Sequence, residues 1–223
     1  MSKDLIDAVV NRHSVRWFLD EPISKEIVNR IEDEIKKINE EENLHIQFII
    51  NDASAFDTIW AKYGKFKNVK NYIALVGEKG IDLYEKVGYF GERLVLLAQS
   101  LGLNSCWVGL SYSKRKAKIK VNKNEKLVLV IALGVGEKQG VPHKSKAIEK
   151  IVSTKTETPE WFNNGVKLAM LAPTALNQQK FKIFYDDGKV VIKSLLGPYS
   201  KVDLGIVKYH FELGAGIKHF KFK

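Results

Sequence analysis

The chain has 223 residues, 45% of them hydrophobic and 28% charged, with a formal net charge of +10 and a single cysteine. The apolar content excludes wholesale disorder, and five prolines with sixteen glycines exclude a collagen-like or low-complexity chain. Cys106 alone cannot form an intrachain disulfide, and no apolar run approaches the roughly 20 residues of a membrane span or the core of a signal peptide, so the sequence reads as soluble and cytoplasmic.

The length suits one α/β domain or two small halves around a shared core. Ser2 is placed to cap a short first helix with Leu5, Ile6, Val9 and Val10 inward. Ser24 caps a longer helix over about 25–41, with Ile27, Val28, Ile31, Ile35 and Ile38 at helical spacing. His45–Ile50 reads as a strand, Ser54–Ala61 as an amphipathic helix before a lysine-rich loop, and Tyr72–Val76 as a buried strand. The clearest helix covers 83–101, with Val87, Phe90, Leu94, Leu97, Ala98 and Leu101 on one stripe and Gly102 as its cap. Gly88 and Gly91 inside it each cost up to ~1 kcal/mol against alanine, which predicts a second helix packed closely there. Leu127–Leu133 has the length and continuous apolarity of a central strand. Thr158 and Pro159 open a helix with Phe162, Val166, Leu168 and Met170 inward. Phe181–Tyr185 and Val190–Ile192 form a hairpin about Asp187-Gly188, and Asp203–Ala215 is helical.

The second half resembles a shorter pass through the first. An offset of 135 carries Ile27, Ile31, Ile35, Ile46 and Phe48 onto Phe162, Val166, Met170, Phe181 and Ile183, and an offset of 117 carries Gly88, Leu94 and Ala98 onto Gly205, Phe211 and Ala215. The domain expectation is therefore two pseudo-repeated halves, 1–150 and 151–223, sharing one core. The first 60 residues are acidic on balance and the remainder strongly basic. The densest basic run, Lys114-Arg-Lys-Ala-Lys-Ile-Lys120, suits either a solvated turn or a nucleic-acid surface. With no interleaved aromatic and no nucleic-acid motif the former is preferred, and an anionic cofactor or substrate accounts for surplus charge equally well.

Several familiar patterns are absent or out of context. Gly134-Val-Gly136-Glu-Lys-Gln-Gly140 follows a strand, but its spacing and the nearby Pro142 make it a strand-end turn. The five histidines lack metal-ligand spacing, no metal is expected, and Cys106 reads as a core residue. Two segments have more content. Arg12-His-Ser14-Val-Arg16 sets two guanidinium groups and a hydroxyl at alternate positions where a helix becomes extended, a combination suited to a phosphate or to a plain solvated turn. Ala172-Pro173-Thr174-Ala175-Leu-Asn177-Gln-Gln179 is a small, amide-rich helix-to-strand loop. It suits the edge of a planar heterocycle, or is an ordinary connection.

Together the two segments resemble the signature of the FMN-dependent nitroreductase family, with its R-x-S-x-[RK] and A-P-S-x-x-N-x-Q-P-W motifs. Leu101-Gly-Leu-Asn-Ser-Cys-Trp107-Val-Gly109 is similar to its G-L-G-x-C-W-x-G turn. The resemblance implies an α+β fold, a mixed and mainly antiparallel sheet flanked by helices. It further implies that Arg12, Ser14 and Arg16 hold the FMN phosphate and ribityl end. Pro173, Thr174, Ala175 and Asn177 would line the flavin ring, Lys144 or Lys146 would complete the phosphate site, and the Gly109 N–H would meet flavin N5. Hydride would pass from NAD(P)H to the flavin and on to a small nitro- or quinone-like acceptor. The alternative is a degenerate flavin-binding sensor or store.

The chain departs from the family pattern in four respects. The proline loop lies in the second half instead of after the second helix, Thr174 replaces the commoner Ser, and Gln179-Lys180-Phe181 stands where P-W is usual. Val108 stands where many members carry Glu. In the family the loop touches the flavin of the partner subunit. A fused pseudo-dimer with one flavin per chain would account for the displacement, acting as a monomer or a weak homodimer, with neither nucleic acid nor membrane as partner.

Overall fold

A computed structural model describes residues 3–220 and Phe222. In chain order the helices are α1 (Lys3–Asn11), α2 (Lys25–Glu42), α3 (Ile59–Tyr63), α4 (Leu83–Ser100), α5 (Glu160–Ala169) and α6 (Ser200–Ala215). The strands are β1 (Trp17–Phe18), β2 (Gln47–Ile49), β3 (Asn71–Glu78), β4 (Asn104–Val108), β5 (Glu125–Gly134), β6 (Gly136–Lys138), β7 (Val152–Thr154), β8 (Phe181–Asp186) and β9 (Lys189–Ser194). The protein is α+β, and every strand pairing is antiparallel except β7 with β8. Among the described residues no helix is long and apolar enough to cross a membrane.

The chain forms two compact units. One comprises Arg12–Leu83 and Leu94–Pro142, and the other comprises α1, Tyr84–Arg93 and the chain from His143 onward. The first is built on a four-stranded sheet ordered β2-β3-β5-β4, with β1 and β6 as a separate ribbon. The continuous apolarity of β3 and β5 follows from burial on both faces. Tyr72, Ala74, Val76, Val130 and Ala132 enter one cluster with Val15, Phe18 and Phe56, while Ile73, Leu75 and Ile131 on the opposite face are equally inaccessible. Each of the valine, leucine, isoleucine and phenylalanine side chains among them contributes about 1.5–3 kcal/mol relative to exposure. The Ser24 hydroxyl accepts from the Ile27 N–H, capping α2 as predicted, and Ile31, Ile35 and Ile38 are buried.

The second unit sets α5 and α6 together beside the sheet β7-β8-β9. The hairpin turns at Asp187 and Gly188, both at positive φ, as the Asp-Gly pair predicts. α6 also meets residues 84–93 of α4 at a reciprocal close approach. A Cβ at Gly88 would collide with the Val202 carbonyl, and one at Gly205 with the Glu85 carbonyl. The same offset of 117 relates Gly88 to Gly205 and Glu85 to Val202, so residue i meets j and j meets i, as across a two-fold axis. The helix predicted to lie against Gly88 is therefore α6. Nearby, Lys208 pairs with Glu85, and Tyr89 Oη donates to Glu212 at 2.8 Å. His210, wholly buried, has Nε2 2.8 Å from the equally buried Glu92 carboxylate and Nδ1 3.1 Å from the Leu168 carbonyl, linking α4, α5 and α6.

Several boundaries differ from the sequence reading. Ser2 lies outside the described residues. On α1 the covered face is Ala8 and Val9, and Ile6 and Val10 are exposed because they sit about 60° and 100° beyond Val9, on the side away from Ala8. The helix expected over Ser54–Ala61 is a series of turns followed by α3. The Asp52 carboxylate first accepts from the Ser54 N–H, and the Thr58 hydroxyl accepts from the Ala61 N–H to start the helix. Pro159 occupies the cap position of α5 while Thr158 bonds to the Asn163 side chain. The segment after Gly134, read as a turn, contains β6, and β1, β4 and β7 were not anticipated.

Candidate functional site

Arg12, Ser14 and Arg16 leave α1 in extended chain that runs beside β4. Ser14 forms a parallel bridge with Ser105, and the Val15 N–H donates to the Ser105 carbonyl at 2.9 Å. Val15 points into the core, so Ser14 and Arg16 are turned outward, Ser14 half-buried and Arg16 exposed, while Arg12 is 5% exposed. Gly140 makes the approach from the other side possible: a Cβ there would lie 2.7 Å from the His13 Cβ and 2.8 Å from the Ser14 carbonyl oxygen.

Both guanidinium groups and the Ser14 hydroxyl reach toward Cys106. Burial pushes the thiol up, outweighing the opposing pull of Arg16, Arg12 and the Ser14 hydrogen bond. Cys106 is therefore a packed residue, as the sequence suggested, and not a thiolate nucleophile. The Ser105 Oγ is buried without a hydrogen-bond partner beside these donors. Two guanidinium groups and two hydroxyls are donors of the kind whose hydrogen bonds the oxygens of a phosphate would accept.

Gly109 follows the far end of β4, four residues and ~13 Å of strand from Ser105. The turn beyond it is fixed by the Ser113 N–H, which donates to Ala55 at 2.8 Å, and by Tyr112 stacked on Phe56. Leu110, next to Gly109, is 80% exposed, whereas Val108 before it is buried.

In the second unit Pro173, Thr174, Ala175 and Asn177 lie in the loop between α5 and β8, and Lys144 and Lys146 lie in a segment that runs against it. Leu176, Asn177 and Gln179 all take positive φ, and Leu176 is 94% exposed, a conformation that costs an L residue about 1–2 kcal/mol. Gln179 is the hub holding it. Its N–H donates to Thr174 Oγ1, its Oε1 accepts from the Lys146 N–H, and its Nε2 donates to the Lys144 carbonyl and to Asn177 Oδ1. Asn177 Nδ2 also donates to the Lys144 carbonyl at 3.0 Å. The Lys146 ammonium donates to the Gln178 carbonyl at 2.6 Å and is thus engaged by the loop, while the Lys144 side chain is exposed.

Sequence reasoning placed Gln179 in the amide-rich loop without giving it a role, and passed over Asp203. The Asp203 carboxylate, 3% exposed in the first turn of α6, accepts from the Ala175 N–H at 3.0 Å and from Gln178 Nε2 at 2.8 Å. Burial pushes its pKa up to about 6 against the pull of those two bonds. Gln179→Ala is expected to destabilise the protein by about 1–2 kcal/mol, since it removes the partner of the part-buried Lys146 N–H and one of the two donors to the Lys144 carbonyl, together with the link to Asn177. Urea unfolding measures this, and an unchanged midpoint would remove Gln179 from its role as hub. Among the described residues no group of His, Cys, Asp and Glu could hold a metal ion.

Comparison with known proteins bears on the whole chain. No curated protein matches the sequence. A Thermotoga maritima structure described as a putative nitroreductase superposes with a TM-score of 0.66 at 24% identity, covering 94% of this chain and 82% of that one. A Desulfovibrio desulfuricans structure, described as a putative nitroreductase in complex with FMN, gives 0.53 at 19% identity over 71% of this chain and 99% of that one. An FMN-dependent nitroreductase from Clostridium difficile gives 0.50 at 19% identity over 62% and 91%. These likenesses give the fold, which is that of the nitroreductases. The family model described as "Putative TM nitroreductase" matches residues 4–215, and with that match the chain belongs to the nitroreductase family.

Proposed function

We propose that this protein is an FMN-dependent oxidoreductase whose first half, residues 1–150, supplies the phosphate clamp and whose second half, 151–223, supplies the loop for the flavin ring. The observation that carries the reading is the convergence of Arg12, Ser14 and Arg16 on β4 beside the unpaired Ser105 hydroxyl, with Gly109 at the other end of the same strand. Arg12, Ser14 and Arg16 bind the phosphate and ribityl end, with Lys144 or Lys146 completing the charge. Arg16 also favours negative charge on the pyrimidine side of the ring, and the Gly109 N–H orients the ring at N5. Pro173, Thr174, Ala175 and Asn177 line the ring and exclude water from one face. When bound, FMN would supply the redox chemistry, a two-electron exchange between NAD(P)H and a nitro- or quinone-like acceptor in a ping-pong cycle.

No side chain has to act as a nucleophile, which agrees with a site built from guanidinium groups, hydroxyls and backbone. The purified protein is expected to be yellow, to bleach under argon on addition of NADPH or NADH, and to recover on addition of a nitroaromatic. A colourless protein that gains no flavin from added FMN would remove the assignment. The buried, apolar Val108 beside Gly109 offers no side-chain acid, and this favours a second reading as a flavin store or sensor. That reading predicts a flavin that stays oxidised under NAD(P)H. Light scattering with a flavin-to-chain ratio should give one FMN per chain in a monomer or a weakly associating dimer. Two flavins per chain would contradict the fused arrangement.

A further inference from the structure

We propose that Asp203 is a positioning residue whose carboxylate holds the 173–179 loop in its strained, outward-facing form. Three observations meet at this carboxylate. The loop has three non-glycine residues at positive φ, so it stays in place only if its surroundings outweigh the strain. Asp203 supplies two of the restraints from a rigid element, one oxygen taking the Ala175 N–H and the other the Gln178 amide. Gln178 in turn donates to the Pro198 carbonyl at 2.7 Å, so the same side chain fastens the loop to the β9–α6 connection, where Tyr199 is also at positive φ.

An acid buried to this degree at an ordinary helix start would be an expensive choice, because a short polar cap at the surface does the same for the helix. Its two partners are both on the loop, and neither is an orphan N–H of α6. The arrangement therefore serves the loop. The ionisable groups on the elements that meet here include His143, Lys144 and Lys146 on the facing segment and Lys180 at the end of the loop. Tyr199 and Lys201 lie at the start of α6, and Glu85, engaged with Lys208, lies on α4. None of them bonds to the Asp203 carboxylate, whose partners are Ala175 and Gln178.

The protonation state decides how many of the two bonds survive. Ionised, both oxygens accept. Protonated, one oxygen becomes a donor and faces the Gln178 Nε2–H, so one restraint is lost. Loop order should therefore fall as pH drops through about 6. The contribution of Asp203 to global stability has the opposite sign. With the native pKa raised above 3.8, that contribution is present below 3.8 and lost as pH rises through about 6. A merely structural acid would give only the second behaviour.

The role in flavin binding rests on the reading of 173–177 as the ring loop, and the experiment separates the two. Amide hydrogen exchange of the full chain is followed at residues 175–179 from pH 5 to 8, alongside FMN affinity by flavin fluorescence. Wild type should lose roughly tenfold in protection at these amides on passing from pH 8 to 5, one tenfold step corresponding to about 1.4 kcal/mol. Asp203→Asn should show the low protection at every pH, because its amide meets the Gln178 amide donor to donor. Gln178→Leu, which leaves Asp203 and its bond to the Ala175 N–H intact but removes the Gln178 bonds to Asp203 and to the Pro198 carbonyl, should show reduced protection already at pH 8. If Asp203→Asn fails to fold, the wild-type pH series and Gln178→Leu still decide. Protection that is flat with pH in wild type and unchanged in Gln178→Leu overturns the proposal. Protection that falls while FMN affinity stays constant upholds Asp203 as the anchor and removes the ring-loop reading. A parallel fall in both supports the two together.

Discussion

Replacing Arg12 and Arg16 together by alanine is expected to weaken FMN binding by about three orders of magnitude. Each guanidinium contributes charge-assisted hydrogen bonds to a phosphate, of about 1.5–3 kcal/mol apiece, and every 1.4 kcal/mol is a factor of ten. The two side chains differ in exposure, and this orders the single variants. Arg16 is exposed, so Arg16→Ala should reduce affinity with little change in unfolding temperature. Arg12 is almost wholly buried, so Arg12→Ala should lower stability as well. Flavin fluorescence quenching on titration of the apoprotein gives the affinity, and thermal unfolding separates the two effects. Full retention of flavin by the folded double variant would show that the phosphate is held elsewhere.

The second large effect concerns the α4–α6 crossing. Gly88→Leu should destabilise the protein by about 3 kcal/mol or more, equivalent to roughly 10 °C in Tm for a chain of this size, because the first added carbon already overlaps the Val202 carbonyl. Gly88→Ala should cost less, since about 1 kcal/mol returns as helix propensity. The reciprocal contact makes a sharper statement. Gly88 and Gly205 both depend on one interhelical distance, so once one alanine has pushed the helices apart the second meets less resistance. The double variant Gly88→Ala/Gly205→Ala should be less unstable than the two single variants summed, by 0.5 kcal/mol or more. Strict additivity in urea unfolding would mean that the helices yield locally at each glycine and do not move as bodies.

Legibility in the sequence followed the length and regularity of each element. α2 and α4 announce themselves through helical spacing and caps, and β5 through an unbroken apolar run, whereas α6, which has no side-chain cap, is legible as a helix from Asp203 and not from its start at Ser200. The Asp187-Gly188 hairpin is fixed by turn chemistry alone. β4 was hidden because Asn-Ser-Cys-Trp-Val has neither alternation nor a long apolar run. It is a strand because β5 supplies its partner. β1 and β7 are two and three residues long, too short for any period to show.

At the candidate site, Arg12, Ser14 and Arg16 could be singled out because their residue types and alternation suit a phosphate, although a solvated turn fits the same pattern and the family resemblance is what selects between them. Asp203 could not, because in the sequence it is one more acid in the first turn of a helix, where acids are commonplace. Only its burial and its two loop partners distinguish it. Gln179 was likewise indistinguishable from its neighbour Gln178 until the 143–147 segment was placed against it.

The α4–α6 crossing lies within a single polypeptide. Were it formed by separate molecules, mass action would govern it and dilution would pull it apart. Covalent continuity replaces that bimolecular step with an intramolecular one at high effective concentration. Melting of this helix pair is accordingly expected at the same temperature in nanomolar and micromolar solution.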